Sequence, residues 1–210
     1  MSRTRPPSRP PWIEEGVVYE SIASFYDLSG SPRAVPLGFV ARGEAIELRI
    51  YRGRALESME PGKGLVLNMT DDSLLFAEAL FGLGFARLSF VESRCSGAPR
   101  IAEAHAYIDA EVAEVGEGEP ATVLLRPLCY EWANRPPRPY TRANSHLIEV
   151  LIYATKVRAF AEAGDERSAR AAYERIAQSL EIIEKVSRGS AYWEAARRVA
   201  EEARRWLSRS

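Results

Sequence analysis

Four arginines concentrate on the segments expected to form the early strands: Arg33, Arg49, Arg52 and Arg54. A guanidinium is a planar fork that grips a phosphate through two parallel, charge-assisted hydrogen bonds. Arg49, Tyr51 and Gly53 fall on one face of a period-two segment, and Arg54 follows at its end. Gly53 has no Cβ, so backbone N–H groups beside it can approach an anion closely. The chemistry this pattern serves is phosphate binding. A solvated, charged outer sheet face fits the same residues equally well.

Other chemistries find less support. The chain has no G-x-x-x-x-G-K-[ST], no G-x-G-x-x-G opening a helix, no H-E-x-x-H and no G-x-S-x-G. His105 and His146 are its two histidines, too few for a multi-histidine metal site. His105 lies among Ala102, Ala104 and Ala106 and reads as a hydrogen-bonded structural residue rather than a general base. Asp71 and Asp72 are adjacent, so on a helix they do not face each other, and capping is the simpler role. Cys95 and Cys129 lie far apart without a CxxC context. They are expected to be reduced, half-buried thiols, with a disulfide as the minority reading.

These residues must be held by a fold. The chain has 210 residues, 46% hydrophobic and 27% charged, with a net charge of −1. That is enough for one large or two small domains with a real core, and no global field recruits nucleic acid. No apolar run approaches the about 18 residues of a membrane span. The first residues lack a signal-peptide pattern, so the cytoplasm is the expected compartment.

Residues 1–11 combine Arg3, Arg5 and Arg9 with Pro6, Pro7, Pro10 and Pro11 and read as an extended arm. Residues 12–133 read as strands. Residues 17–26 and 33–40 are β-rich, and Pro36 argues for an edge or bulge within the second. Residues 45–51 alternate, with Ile46, Leu48 and Ile50 on one side. Strands are also expected over 65–69, 86–94, 101–115 and 121–130, with a short helix after Asp72 ending at Gly82. So many strands with short turns suggest a closed or half-open antiparallel barrel. Residues 134–210 begin with a proline-rich boundary and continue as three amphipathic helices, interrupted at Gly164 and Gly189. The fold class is therefore α+β, an antiparallel barrel followed by a three-helix appendage.

Four segments carry a resemblance. They are Arg33-Ala34-Val35-Pro36-Leu37-Gly38, then residues 49–58, then residues 66–76 around Asn68, and finally Thr141-Arg142-Ala143-Asn144 opening the helix that runs to Lys156 and beyond. In order and spacing the chain resembles an archaeal family of flavoproteins with the FMN-binding split-barrel fold, related in architecture to flavin reductases and pyridoxamine-phosphate oxidases. The resemblance implies FMN at a homodimer interface. It implies a phosphate site near Arg52, Gly53, Arg54 and Ser58, and a ring edge along Pro36, Leu37 and Gly38, with Asn68 nearby. Ala55 and Ser58 stand where that family tends to have Ser/Thr and Asn, and Arg33 replaces an Asn.

The function expected is that of an FMN-binding flavoprotein and oxidoreductase of unknown small-molecule substrate. The alternative is a non-enzymatic module that holds a phosphate-bearing ligand or docks a protein. A weaker third reading makes the arginine-rich arm an RNA contact.

Overall fold

The computed structural model describes residues 10–133 and 141–208 and divides into two units. The expected N-terminal arm, up to residue 9, and the proline-rich boundary at 134–139 lie outside the described residues. One unit runs to Thr70 and resumes at Leu88. The other joins Asp71–Arg87 to the C-terminal helices.

The first unit is built on period-two burial. In β3 (Ala45–Ile50), Ile46, Leu48 and Ile50 are buried while Arg49 is exposed. The same alternation runs through β8 (Ala121–Trp132), where Ala121, Val123, Leu125 and Pro127 are buried. β1 (Val18–Tyr26), β2 (Pro32–Arg42), β4 (Gly64–Met69) and β7 (Ala106–Val115) complete the set. The six strands close a barrel in the order β1-β2-β3-β8-β7-β4, with every pair antiparallel. Closure leaves no edge along most of the circuit and one shared interior, packed by Phe39, Leu48, Leu65, Leu67, Ile108 and Leu125. The long strand expected over 86–94 is shorter: β5 (Phe90–Glu92) pairs with β6 (Pro99–Ile101) as a separate two-stranded hairpin.

One expectation is corrected here. Cys95 and Cys129 are not free thiols but form a disulfide across 34 residues. Cys95 lies in the turn between β5 and β6, and Cys129 lies on β8. Only the way the hairpin folds back brings them together, and no sequence spacing reveals that.

The second unit is helical. α2 (Ser73–Phe81) is capped by Asp72, whose carboxylate accepts from Leu74 N, and ends at Gly82 with φ 61°. Thr141 caps α3 (Arg142–Glu162), Asp165 caps α4 (Glu166–Ser187) and Ser190 caps α5 (Ala191–Leu207). Each cap accepts a backbone N–H that the helix cannot satisfy itself. Leu147, Leu151, Ala154 and Val157 of α3 are buried, with Ala172, Ile176 and Ile183 of α4 and Ala195, Val199 and Ala203 of α5. Asn144 ties α3 to α2: its Oδ1 accepts from Ser73 N at 2.8 Å, and its amide donates to the Asp71 carbonyl. The Asn of the fourth resembling segment is therefore a clamp between helices.

Gly64 opens β4 where the β5–β6 turn crosses it. A Cβ built there would lie 2.5 Å from the Ser96 carbonyl oxygen. Gly64→Ala must push that backbone away and is expected to cost about 1–3 kcal/mol, read as a lower denaturation midpoint. An unchanged midpoint would show that the turn yields freely.

Candidate functional site

The pairing of β2 and β3 is short. It covers Phe39↔Leu48, Val40↔Glu47, Ala41↔Ile46 and Arg42↔Ala45, then stops. β2 continues backward to Pro32, paired with β1 alone, from Tyr19↔Phe39 to Tyr26↔Pro32. Its other side therefore has no strand partner from residue 38 back to 32 among the described residues. Two local features keep the strands apart. Pro36 has no N–H to offer a ladder. Beyond Ile50 the chain leaves the sheet through Gly53, whose φ of 152° favours glycine, into the single turn α1 (Arg54–Glu57).

The residues expected to bind sort themselves around this gap. Phe39 and Ala41 point into the barrel, and Val35 and Leu37 pack against the same core. By alternation Pro36 and Gly38 face outward, as Arg49 does on β3. Continuing the register by one step sets Gly38 beside Arg49, where the two strands part. Tyr51 is 70% exposed just beyond it. Arg54 is exposed at the start of α1. α1 is anchored from beneath, because Ala55 and Leu56 pack against the core that contains Met59. The Ser58 hydroxyl is buried and donates to the Arg54 carbonyl at 2.9 Å.

Ion pairing separates the arginines. Arg33 Nε lies 2.7 Å from Asp27, and Arg52 Nε lies 3.7 Å from Glu119, whose other oxygen accepts the Arg52 backbone N–H at 2.9 Å. Arg42, Arg100 and Arg126 are paired with Glu47, Glu131 and Glu111. Arg49 and Arg54 have no carboxylate partner among the described residues. Of the four arginines singled out from the sequence, two therefore have their charge engaged and two hold it available beside the gap.

Asn68 has a different place. It is fully buried, and its amide donates to the Ile22 carbonyl (2.7 Å), Ser24 Oγ (2.8 Å) and the Val66 carbonyl (3.1 Å). Its Oδ1 accepts from Ile101 N at 2.7 Å. It ties β1 and β4 to β6. The registers Pro36↔Ile22 and Ile22↔Asn68 put it in the same cross-strand row as Pro36. Its influence on the gap runs through the backbone of β1. His105 N donates to Met69 O, and the His146 ring lies 3.5 Å from Ser179 Oγ between α3 and α4.

Sequence reasoning missed Glu119, which fixes the Arg52 backbone, and Asp27, which engages Arg33. Both lie in turns, where carboxylates are common and carry no periodic signal.

Comparison with known proteins places the fold. The family model described as "Protein of unknown function (DUF447) N-terminal domain" matches residues 19–134. The chain belongs to this family. The matched span holds all six barrel strands but the first residue of β1. A solved structure of an FMN-bound protein of the same family, from Methanosarcina mazei, superposes with a TM-score of 0.66 at 23% identity, covering 91% of this chain and 96% of that one. The likeness extends the shared fold beyond the barrel into the helices. The flavin reductase HpaC complexed with NADP+ matches at TM-score 0.48 and 16% identity, over 58% of this chain and 83% of that one. The styrene monooxygenase flavin reductase from Pseudomonas putida S12 matches at TM-score 0.48 and 15% identity, over 57% and 82%. No curated protein sequence matches the chain. No helix is long and apolar enough to cross a membrane among the described residues.

The Arg33 pair makes a pH-dependent prediction. Asp27 accepts from Ser29 Oγ (2.6 Å), Arg33 Nε (2.7 Å), Ser31 N (3.0 Å) and Ser29 N (2.9 Å). These bonds, the Ser29 hydroxyl first, hold its carboxyl well below the ordinary carboxylate range. Its folded value lies below the unfolded value of about 3.9, so its stabilisation is present above that pH and is lost as pH falls. Wild type is expected to exceed Asp27→Asn in urea midpoint at pH 6, with the difference shrinking below about pH 4. A difference that does not change with pH would contradict the assignment.

Proposed function

We propose that the barrel binds FMN at the β2–β3 gap and works as a cytoplasmic oxidoreductase on a small-molecule substrate. The phosphate lies against Arg54, Arg49 and the backbone around Arg52 and Gly53, with Ser58 bracing the turn from below. The ring edge runs along Pro36, Leu37 and Gly38. Tyr51 and Arg33 border it, and Asn68 holds the row behind Pro36. A homodimer completes the pocket, because the gap is open on the outer face and a flavin needs cover from water. Bound FMN would supply the hydride-accepting redox chemistry. The chain's own residues bind, orient and exclude solvent.

The observation that carries this reading is the pairing of two uncommitted guanidinium groups with an open strand edge. A dianionic phosphate needs the first, and a heteroaromatic ring edge rich in hydrogen-bonding atoms needs the second. The FMN in the Methanosarcina mazei relative, on the same fold, supports the choice of ligand.

Two observations favour a second reading, a binding module without turnover. The Ala55 side chain packs on the core, and the Ser58 hydroxyl is already donating to Arg54 O, so neither offers a free hydroxyl to the phosphate.

One set of samples tests both. FMN titrated into the protein, followed by quenching of flavin fluorescence, is expected to saturate. Arg54→Ala should weaken the affinity about 10- to 100-fold, as expected for one lost charged hydrogen bond. Unchanged affinity removes Arg54 from the site. NAD(P)H consumption by the FMN-loaded protein supports the oxidoreductase. Its absence with every acceptor leaves the module.

A further inference from the structure

The Cys95–Cys129 bridge has a companion that a simple staple does not require. Asp109 on β7 is 3% exposed, and its cross-strand partner on β8 is Cys129. The register shifts immediately afterwards, between Asp109 and Ala110, so Leu128 is left as the extra residue of a bulge. Asp109 Oδ2 lies 3.3 Å from Cys129 Sγ and accepts the Cys95 backbone N–H at 3.2 Å. Oδ1 accepts from Ser96 Oγ at 3.2 Å. No cation pairs with this carboxylate among the described residues. Burying a carboxylate without a counter-charge is costly, and here it sits against a sulfur that can carry a proton only when the bridge is open.

The two sulfurs differ in access. Cys95 is exposed and Cys129 half-buried. The β5–β6 hairpin is three residues a side and forms its own sheet, held to the barrel by Ser24 and Asn68, so opening the bridge frees a turn without breaking a barrel strand.

We propose that Cys95 and Cys129 form a working dithiol/disulfide couple that exchanges with an external dithiol, with Asp109 as proton acceptor and donor for Cys129. In the reducing direction, a thiolate of the external dithiol attacks Cys95 Sγ. The Cys95–Cys129 bond breaks, and Cys129 Sγ leaves with the electron pair and takes a proton through Asp109. The second thiol of the external molecule then attacks its own mixed-disulfide sulfur and releases Cys95 as a thiolate, which is protonated by water. Two electrons and two protons pass to the protein, and the external dithiol becomes a disulfide. In the reverse direction Asp109 takes the Cys129 proton, and the Cys129 thiolate displaces the external sulfur from Cys95. The couple is independent of flavin binding.

The test uses the full-length protein without denaturant. Dithiothreitol is added, and free thiols are followed by maleimide gel shift. The reduction rate is expected to rise in proportion to dithiothreitol concentration, and an excess of oxidised glutathione, added once the dithiothreitol is removed, should restore the bridge. Asp109→Asn, checked for folding by circular dichroism, is expected to slow both directions about 100-fold. A wild-type rate that saturates at the rate of unfolding would mark a structural staple and overturn the proposal, and this arm needs no variant. Equal rates in wild type and Asp109→Asn would overturn it too. So would stoichiometric zinc uptake by the reduced protein that blocks reoxidation, since Cys95, Asp109 and Cys129 would then be metal ligands.

Discussion

The early end of the β2–β3 ladder is the constraint on which the candidate site depends. A barrel satisfies its backbone by closing, and every strand pair here contributes to that closure. β2 and β3 pair over four residue positions only, leaving residues 32–38 with a neighbour on one side. Pro36 cannot donate, and Gly53 turns the chain out of the sheet before it could continue. The barrel can bear this local loss because its interior is filled from all six strands, by residues such as Phe39, Leu67 and Leu125. What would be a defect in an isolated sheet becomes a half-buried stretch of backbone with no strand partner on one side, flanked by outward Gly38 and Arg49.

Polar groups in the barrel divide into those that build it and those it leaves available. Asn68 spends its whole amide on three backbone groups and a serine hydroxyl, at full burial, where an unmade bond costs most. Arg33 and Arg52 are neutralised by Asp27 and Glu119, exposed pairs of modest energetic weight that nonetheless fix where those side chains lie. Arg49 and Arg54 are not neutralised. Whether an arginine's charge is engaged or left available is thus set by where acidic residues fall in the turns.

Much of this was legible in the sequence, for reasons that differ by element. Alternation in β3 and the three-four stripes of α3 and α4 follow directly from which faces are buried, so strands and helices could be read from apolar spacing alone. Asp72, Asp165 and Ser190 announced the helix starts because capping is local chemistry. Pro36 signalled an edge because its missing N–H is a property of the residue itself. The assignment of residues 71–87 to the helical unit was not legible, since it depends on Asn144 reaching back 71 residues to Ser73. The disulfide was not legible for the same reason. The rule that cytosolic thiols stay reduced argued against it, and only the fold of the β5–β6 hairpin brings Cys95 to Cys129. Which arginines would be neutralised was equally hidden, because each pairing needs a turn carboxylate whose position comes from tertiary structure.

The central claim is that the gap between β2 and β3 is a flavin site. The most direct measurement is the visible spectrum of the protein purified from cells supplied with riboflavin, followed by identification of whatever denaturation releases. The account predicts a yellow protein with the absorption bands of an oxidised flavin that releases FMN. A colourless protein that also fails to take up added FMN would contradict it.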